Sequence, residues 1–376
     1  MKKILITSTD LMMIQFLVPH VKNLAENGFD VEIACSEVGG RMKDVRSALE
    51  GTVRAVHLLR LHRSPATPKN LLGYGDMKRL LKENHYDIIW TNEPVMGVVT
   101  RLAANKYRRT GTKVVYMCHG FHFFKGASKL NWMVYYPIER LMAHFCDAII
   151  TMNQEDYGRA QNFKAKKVYQ IPGVGVELER FRLQNASELR ISKRRQLGIP
   201  EDAYVLLSVG ELTRRKNQEV MLRALAQLND PSIQYILCGR GDLRDYLQSL
   251  SEELGIGDRV HFLGYRMDVP EIYRAADCFV FPSVHEGLPF ALMEAMESGL
   301  PIVCSRIRGN VDLIDEPQGG ILCDVYSSGE FCDAIRKVRT ADVDMLVRHN
   351  REKLKEFDIK YTKMVIIGIF EEVLRQ

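Results

Sequence analysis

The chain has no run of about 18 uncharged apolar residues, so no segment is predicted to cross a membrane as a helix. It opens MKKILIT, but only the four-residue stretch Ile4–Thr7 follows before Ser8, Thr9 and Asp10, too short for a secretory leader to be expected. None of its eight cysteines form a CxxC pair, which argues against a zinc site and against a disulfide framework. Several stand inside apolar runs, as Cys278 does in AADCFVF, and are expected to be buried thiols in a reducing compartment. With 27 Gly and 13 Pro in 376 residues, collagen-like and low-complexity classes are excluded. No fixed-period repeat is present, which excludes a solenoid. The first strand–helix turn lacks G-x-G-x-x-G, so a dinucleotide cofactor there is disfavoured, and no DxD-like motif stands at a strand end in the second half, so no metal ion is expected.

What is present is an ordinary globular composition, 46% hydrophobic and 26% charged, over a length suited to about two domains. The charge is uneven. Residues 1–150 carry 21 Lys+Arg against 13 Asp+Glu, and residues 190–357 carry 22 against 26. A basic first half suits an anionic partner such as a membrane surface, a phosphorylated lipid or nucleic acid.

Short β-branched runs alternate with amphipathic stretches along the whole chain. In the first half the runs are KKILIT, DVEIAC, VRAVHLL, YDIIWTN, VVYMCHG, DAIITMN and KVYQIPG. The rhythm restarts with VLLSVGEL, IQYILCGRG, RVHFLGY, DCFVFPS, PIVCS and GGILCD. Strands alternating with helices predict parallel sheets covered on both faces, hence two doubly wound α/β domains. Periodicity fades across Pro172–Pro200, so the domains are drawn as 1–185 and 186–357, with a C-terminal helix in 358–376 expected to return to the first. Two such domains facing across a cleft suit a two-substrate reaction at the carboxyl ends of the strands.

The densest chemical signal is SVHEGLPFALMEAMESGLPIV, residues 283–303. Pro289 fits a first helical turn, and the N–H groups near Phe290 and Ala291 then form an anion site at the helix start. Glu286 precedes that site and Glu294 lies one turn into the helix, so two carboxylates bracket an anion; a carboxylate can accept two sugar hydroxyls at once. The second signal is VVYMCHGFHFFKGA, where His119 directly follows a buried strand and so lies at the sheet's carboxyl edge. Phe121, Phe123, Phe124 and Trp132 make this loop aromatic, suited to core packing or to a lipid-linked ligand.

Segment 283–303 resembles the E-x7-E signature of the retaining glycosyltransferases of family 4, which have the GT-B fold. SVGELTRRKNQEV, IPGVGVELERF, YILCGRGDL and RVHFLGYRMDVPEIYRAADCFVFPS are similar to further motifs of that family, in the same order and over nearly the whole chain. The resemblance implies that Lys216, with Arg215 or Arg214, meets a donor diphosphate. It implies that Glu294 binds ribose hydroxyls, that Glu286 holds donor-sugar hydroxyls, and that Gly287 and the Phe290 and Ala291 N–H groups flank the leaving diphosphate. Gly264, Tyr265 and Arg266 would lie beside the base, with Gly239 and Gly241 nearby. His119 would face the sugar, as a hydrogen-bond partner or a support for charge, with His122 close by. Two departures stand out. Glu211 occupies the place of the family's usual Arg after VG, and Thr9-Asp10-Leu11 replaces the Gly pair common in the first turn.

That first turn, with Thr9, Asp10 and Phe16, is assigned to the acceptor side. Phe16, Pro19 and His20 loosely match members that act on lipid-diphosphate acceptors in capsule or exopolysaccharide assembly. Apolar Leu11, Met12, Met13 and Phe16, taken with Arg60, Arg63, Lys69, Arg101, Lys106, Arg108 and Arg109, are expected to form a membrane-facing patch. The expectation is therefore a UDP-sugar donor, a lipid-linked saccharide acceptor, no cofactor, no metal and no nucleic acid. The site of action is cytoplasmic, peripheral on the inner face of the cell membrane. The rival activities are a UDP-HexNAc 2-epimerase-type isomerase on the same fold, and a basic membrane- or nucleic-acid-binding protein.

Overall fold

The computed structural model of the protein describes residues 1–37, 42–183 and 186–376. The chain divides into two compact units, one of Met1–Gly175 with Ile359–Gln376 and the other of Val176–Asp358. The domain edge drawn after residue 185 lies outside the described residues. All thirteen predicted runs form strands.

In the first unit the strands are β1 (Lys2–Asp10), β2 (Phe29–Ser36), β3 (Ala55–Leu58), β4 (Ile88–Asn92), β5 (Lys113–Met117), β6 (Ala148–Thr151) and β7 (Lys167–Gln170). They make one seven-stranded parallel sheet in the order β3-β2-β1-β4-β5-β6-β7. β1 and β4 are apolar on both faces because helices cover both sides, and Ile4, Ile6, Ile88 and Trp90 are fully buried. Asp10 ends β1 and caps the helix Leu11–Glu26, its Oδ1 accepting from the Met13 N–H at 3.1 Å. Gly28, at φ 82°, turns the chain back after that helix.

The last helix, Ile359–Arg375, belongs to this unit and lays Phe370 edge-on against Trp90 at 5.2 Å between ring centroids. Gly175 explains the close entry of that helix. A Cβ there would stand 2.3 Å from Thr362 Oγ1 and 2.7 Å from Ile359 Cα, and its φ is 80°. His20 donates from Nε2 to the Val174 carbonyl at 2.6 Å, and burial lowers its pKa to about 4. It is thus a neutral core histidine.

The second unit holds β8 (Tyr204–Val209), β9 (Ile233–Cys238), β10 (Val260–Gly264), β11 (Cys278–Phe281), β12 (Ile302–Ser305) and β13 (Ile321–Cys323). Its six-stranded sheet is also parallel, in the order β10-β9-β8-β11-β12-β13. The polar stretch before β8 is a helix, Ala186–Leu197, which the fading apolar period concealed. It is held by charge: Arg190 and Arg194 bond the Asp277 carboxylate, and Lys193 bonds Asp268 and Glu271. Among the described residues five further helices escaped the apolar pattern, Met42–Leu49, Lys129–Met142, Gln154–Ala160, Asn310–Leu313 and Val343–Leu354. All eight cysteines are buried thiols. Among the described residues no helix is long and apolar enough to cross a membrane.

Each sheet reverses its strand order once, between β1 and β4 in the first unit and between β8 and β11 in the second. Such reversals open a crevice at the carboxyl ends of the strands, the usual seat of a ligand in open α/β sheets.

Candidate active site

At the second unit's reversal point, β8 runs into Gly210–Lys216 and β11 into Pro282–Glu286. The Val284 N–H bonds the Arg215 carbonyl at 2.8 Å, which ties the two loops together. Glu286 Oε1 accepts from Lys216 Nζ at 2.8 Å and from Arg215 Nη1 at 2.7 Å. The sequence expected these three side chains at one site, and the structure brings them into one ion cluster with two cations and one carboxylate. Burial pushes the Glu286 carboxyl upward, but Lys216 and Arg215 outweigh it and hold the carboxyl below its ordinary range. Burial lowers the Lys216 ammonium against the pull of Glu286. Lys216 also lies over the Phe281 ring at 4.6 Å. Asn217 at φ 55° makes the turn from this loop into the helix Gln218–Leu228, and its amide bonds the Pro282 and Val325 carbonyls.

The helix Phe290–Glu297 begins after this loop, and no side chain caps it. Pro289 stands just before the helix rather than inside its first turn. Glu294 is half-buried, and its Oε2 accepts from the Tyr273 hydroxyl at 3.0 Å; burial raises its pKa although that bond lowers it. Two supports were not foreseen. Arg308 donates to the Glu286 carbonyl at 3.1 Å, and Gly309 packs so close that a Cβ would meet the Gly287 carbonyl oxygen at 2.4 Å. Both come from the loop after β12, distant in sequence from Glu286, and no local pattern announces them.

Gly239 and Gly241 have a packing reason of their own. Cβ atoms there would stand 1.9 Å from the Gly210 oxygen and 2.2 Å from the Leu212 oxygen, because the loops after β8 and β9 are hydrogen-bonded backbone to backbone. Gly264 turns the chain after β10 at φ 67°. Tyr265 is exposed beneath Arg240 at 5.8 Å. Arg266 forks onto Asp268 through two bonds of 2.8 and 2.6 Å. Glu211 is exposed and 3.8 Å from Arg215, so its carboxylate faces the cation cluster where the family usually has a cation.

At the first unit's reversal point, His119 donates from Nε2 to Asn92 Oδ1 at 2.9 Å, and the Asn92 amide is fixed by the Thr7 carbonyl at 3.2 Å. Burial lowers the His119 pKa to about 3. The imidazole is therefore neutral with its N–H engaged, and Nδ1 remains as an acceptor. It suits a hydroxyl partner. Asp10 is both helix cap and partner of Arg63, whose Nε lies 2.5 Å from Oδ2. The Thr9 N–H and the Ser8 hydroxyl both bond Oε2 of Glu93, at 2.8 and 2.7 Å. His122 stacks on Tyr135, ring centroids 4.6 Å apart. Phe16 is 42% exposed on the first helix.

Glu93 was missed. It follows β4 directly and precedes Pro94, at φ 64° and ψ 154°, a region that is glycine's. Holding a glutamate there costs about 1–3 kcal/mol. Burial raises its pKa, against the bonds from Ser8 and Thr9. A carboxylate before proline at a buried strand's carboxyl end was the available signal.

One open reading is decided and one expectation is corrected. Of the two readings of the aromatic loop, core packing holds for Phe121 and Phe123, which are 3% and 0% exposed and stacked on each other, because the helix Lys129–Met142 covers them. The basic patch is largely consumed by ion pairs. Arg60 bonds Asp76, Arg63 bonds Asp10, Arg108 bonds Asp147, and Arg101 is fully buried against Glu139 and the Tyr116 ring. The apolar surface lies instead on the helix Lys129–Met142, where Leu130, Met133, Val134, Ile138 and Leu141 are all at least 40% exposed. Their spacing of three and four residues makes one stripe.

Two doubly wound parallel sheets, each with a polar site at its reversal point, define the GT-B architecture. Solved structures agree. Anabaena HepE, crystallised with UDP and glucose, superposes with a TM-score of 0.80 at 21% identity over 99% of this chain and 100% of its own. WaaG, a glycosyltransferase involved in lipopolysaccharide biosynthesis, does so with 0.73 at 18% identity over 98% and 99%. Residues 190–358 match the family described as glycosyl transferases group 1, and residues 17–180 match glycosyltransferase family 4. A putative glycosyltransferase of Bacillus subtilis, EpsD, is 34% identical over 342 residues, 90% of this chain and 87% of that one. The chain belongs to this family of glycosyltransferases. An Escherichia coli relative, the UDP-Gal:α-D-GlcNAc-diphosphoundecaprenol α-1,3-galactosyltransferase, is 29% identical, covering 88% of this chain and 86% of its own.

Proposed function

We propose that the protein transfers a hexose or N-acetylhexosamine, with retention, from a UDP-sugar to a polyprenyl-diphosphate-linked saccharide in the synthesis of a cell-surface polysaccharide. The observation that carries this is the Arg215–Lys216–Glu286 cluster before an uncapped helix start. Its two cations and the helix N-terminus match a leaving diphosphate. The bond from the sugar's anomeric carbon to the diphosphate breaks as the acceptor oxygen bonds to the same face. The acceptor's proton passes to a departing phosphate oxygen, so no protein nucleophile enters. Lys216, Arg215 and the N–H groups at Phe290 and Ala291 neutralise the growing charge, and the proposal therefore includes no metal ion. Glu294 takes the ribose hydroxyls, Glu286 takes sugar hydroxyls, and Gly264, Tyr265 and Arg266 border the base. The named reaction of the E. coli relative supports the choice of donor and acceptor class. The apolar stripe on Lys129–Met142, flanked by exposed Lys125, Lys129 and Arg140, supports attachment to an anionic membrane face.

The test is UDP release from a panel of UDP-sugars, with and without a bacterial polyprenyl-diphosphate-saccharide extract, and with products weighed by mass spectrometry. Extract-dependent release with a lipid product one sugar heavier is expected. An epimerised UDP-sugar formed without extract would replace the transferase by an isomerase.

A further inference from the structure

The first unit's reversal point opens into a cavity of about 440 Å³ lined by, among others, Thr9, Arg63, Glu93, Val98, His122 and Tyr135. All of these belong to the first unit. Three charged side chains reach this lining, and two are committed. Arg63 bonds Asp10, and Glu139 bonds Arg101. Glu93 is the third. Its Oε2 is held by Ser8 and Thr9, while Oε1 has no partner among the described residues. Most of the remaining wall is aliphatic or aromatic, with Val95, Val98, Val99 and Ile138 beside the Tyr135 ring.

This arrangement selects a ligand by chemistry. A carboxylate whose nearest cation is already spoken for repels phosphate and accepts hydroxyls. An apolar wall with a few placed polar groups suits the C–H faces of a pyranose ring. The backbone at Glu93 points the same way. Glycine would be at ease at φ 64°, ψ 154°, so the carboxylate stands there in spite of the fold's local preference.

We propose that Glu93 is a specificity-determining residue, binding hydroxyls of a neutral sugar ring of the acceptor in this cavity, with the acceptor's diphosphate held elsewhere. The proposal deepens the transferase reading and rests on it only for the word acceptor.

The experiment measures binding of methyl glucoside, methyl galactoside and methyl N-acetylglucosaminide to the full chain by saturation-transfer NMR, with inorganic phosphate as competitor. At least one glycoside is expected to bind. Glu93→Gln should weaken it about tenfold, the loss of one charge-assisted hydrogen bond. Val98→Trp should abolish it by filling the cavity, and phosphate should not displace it. Glu93→Gly separates binding from folding, because it relieves the backbone. Its melting temperature should stay within a few degrees of the parent's, because relief of the backbone offsets the loss of the bonds from Ser8 and Thr9, while glycoside binding falls as in Glu93→Gln. In the transfer assay, the ratio of acceptor KM to donor KM should rise about tenfold in Glu93→Gln. No glycoside binding by the parent chain, unchanged binding in Glu93→Gln, or displacement by phosphate would each overturn the assignment. If glycosides bind this cavity but no UDP-sugar turns over, the transferase reading fails and the sugar site stands.

Discussion

The two units share one topology and differ in the charge they place at its reversal point. After β8 and β11 the second unit sets two cations on one carboxylate. After β1 and β4 the first unit sets a strained, half-buried carboxylate, a neutral histidine and an apolar cavity. The backbone builds the crevice, and a few loop side chains decide whether it suits a diphosphate or a sugar ring. The two sites therefore share a scaffold and differ in loop chemistry.

The largest effect expected from this contrast is at Lys216. Lys216→Ala should lower turnover about 10³-fold, the scale of losing a preset charge at a leaving group. Arg215 remains on Glu286, so no buried carboxylate is stranded and the melting temperature should move by only a few degrees. Full activity in that variant would break the comparison.

Acid should separate the units next. His20 has its pKa lowered from 6.5 to about 4, so its contribution is complete above pH 6.5 and is lost as pH falls toward 4. At 1% exposure this amounts to about 3 kcal/mol. His119 acts in the same direction. Glu286 is also lowered, from 4.5, so its contribution is lost only as pH falls below that value. Hydrogen exchange between pH 7 and 4.5 should show the first unit loosening while the loop at Glu286 stays protected, and His20→Gln should flatten the first unit's response.

A smaller effect concerns the exposed stripe. Met133→Glu should weaken co-sedimentation with anionic vesicles about tenfold, and leave turnover of a water-soluble acceptor analogue unchanged. Equal sedimentation would remove the membrane from the account. Arg214 should matter least. It is exposed, with no partner among the described residues, so Arg214→Ala should leave donor KM within about twofold, as expected of a solvated side chain.

The strands were legible because fully buried parallel strands are short, continuous apolar runs, and each run here is closed by a polar turn. The helix Ala186–Leu197 was not, because ion pairs to Asp277, Asp268 and Glu271 replace an apolar face. At the site, Glu286 and Lys216 were found because they sit in dense local motifs. Arg308 and Tyr273 were invisible, since each meets its partner through the fold and not through the sequence. The basic residues misled for the same reason: Arg101 is indistinguishable in sequence from a surface arginine until Glu139 and Tyr116 close over it.

The most direct test of the central claim is calorimetric titration of UDP and of uridine into the parent chain and Lys216→Ala. If the second unit's cations hold the diphosphate, the variant binds UDP about tenfold or more weakly and uridine as before. Equal UDP affinity in the two proteins, or an equal loss for uridine, would contradict it.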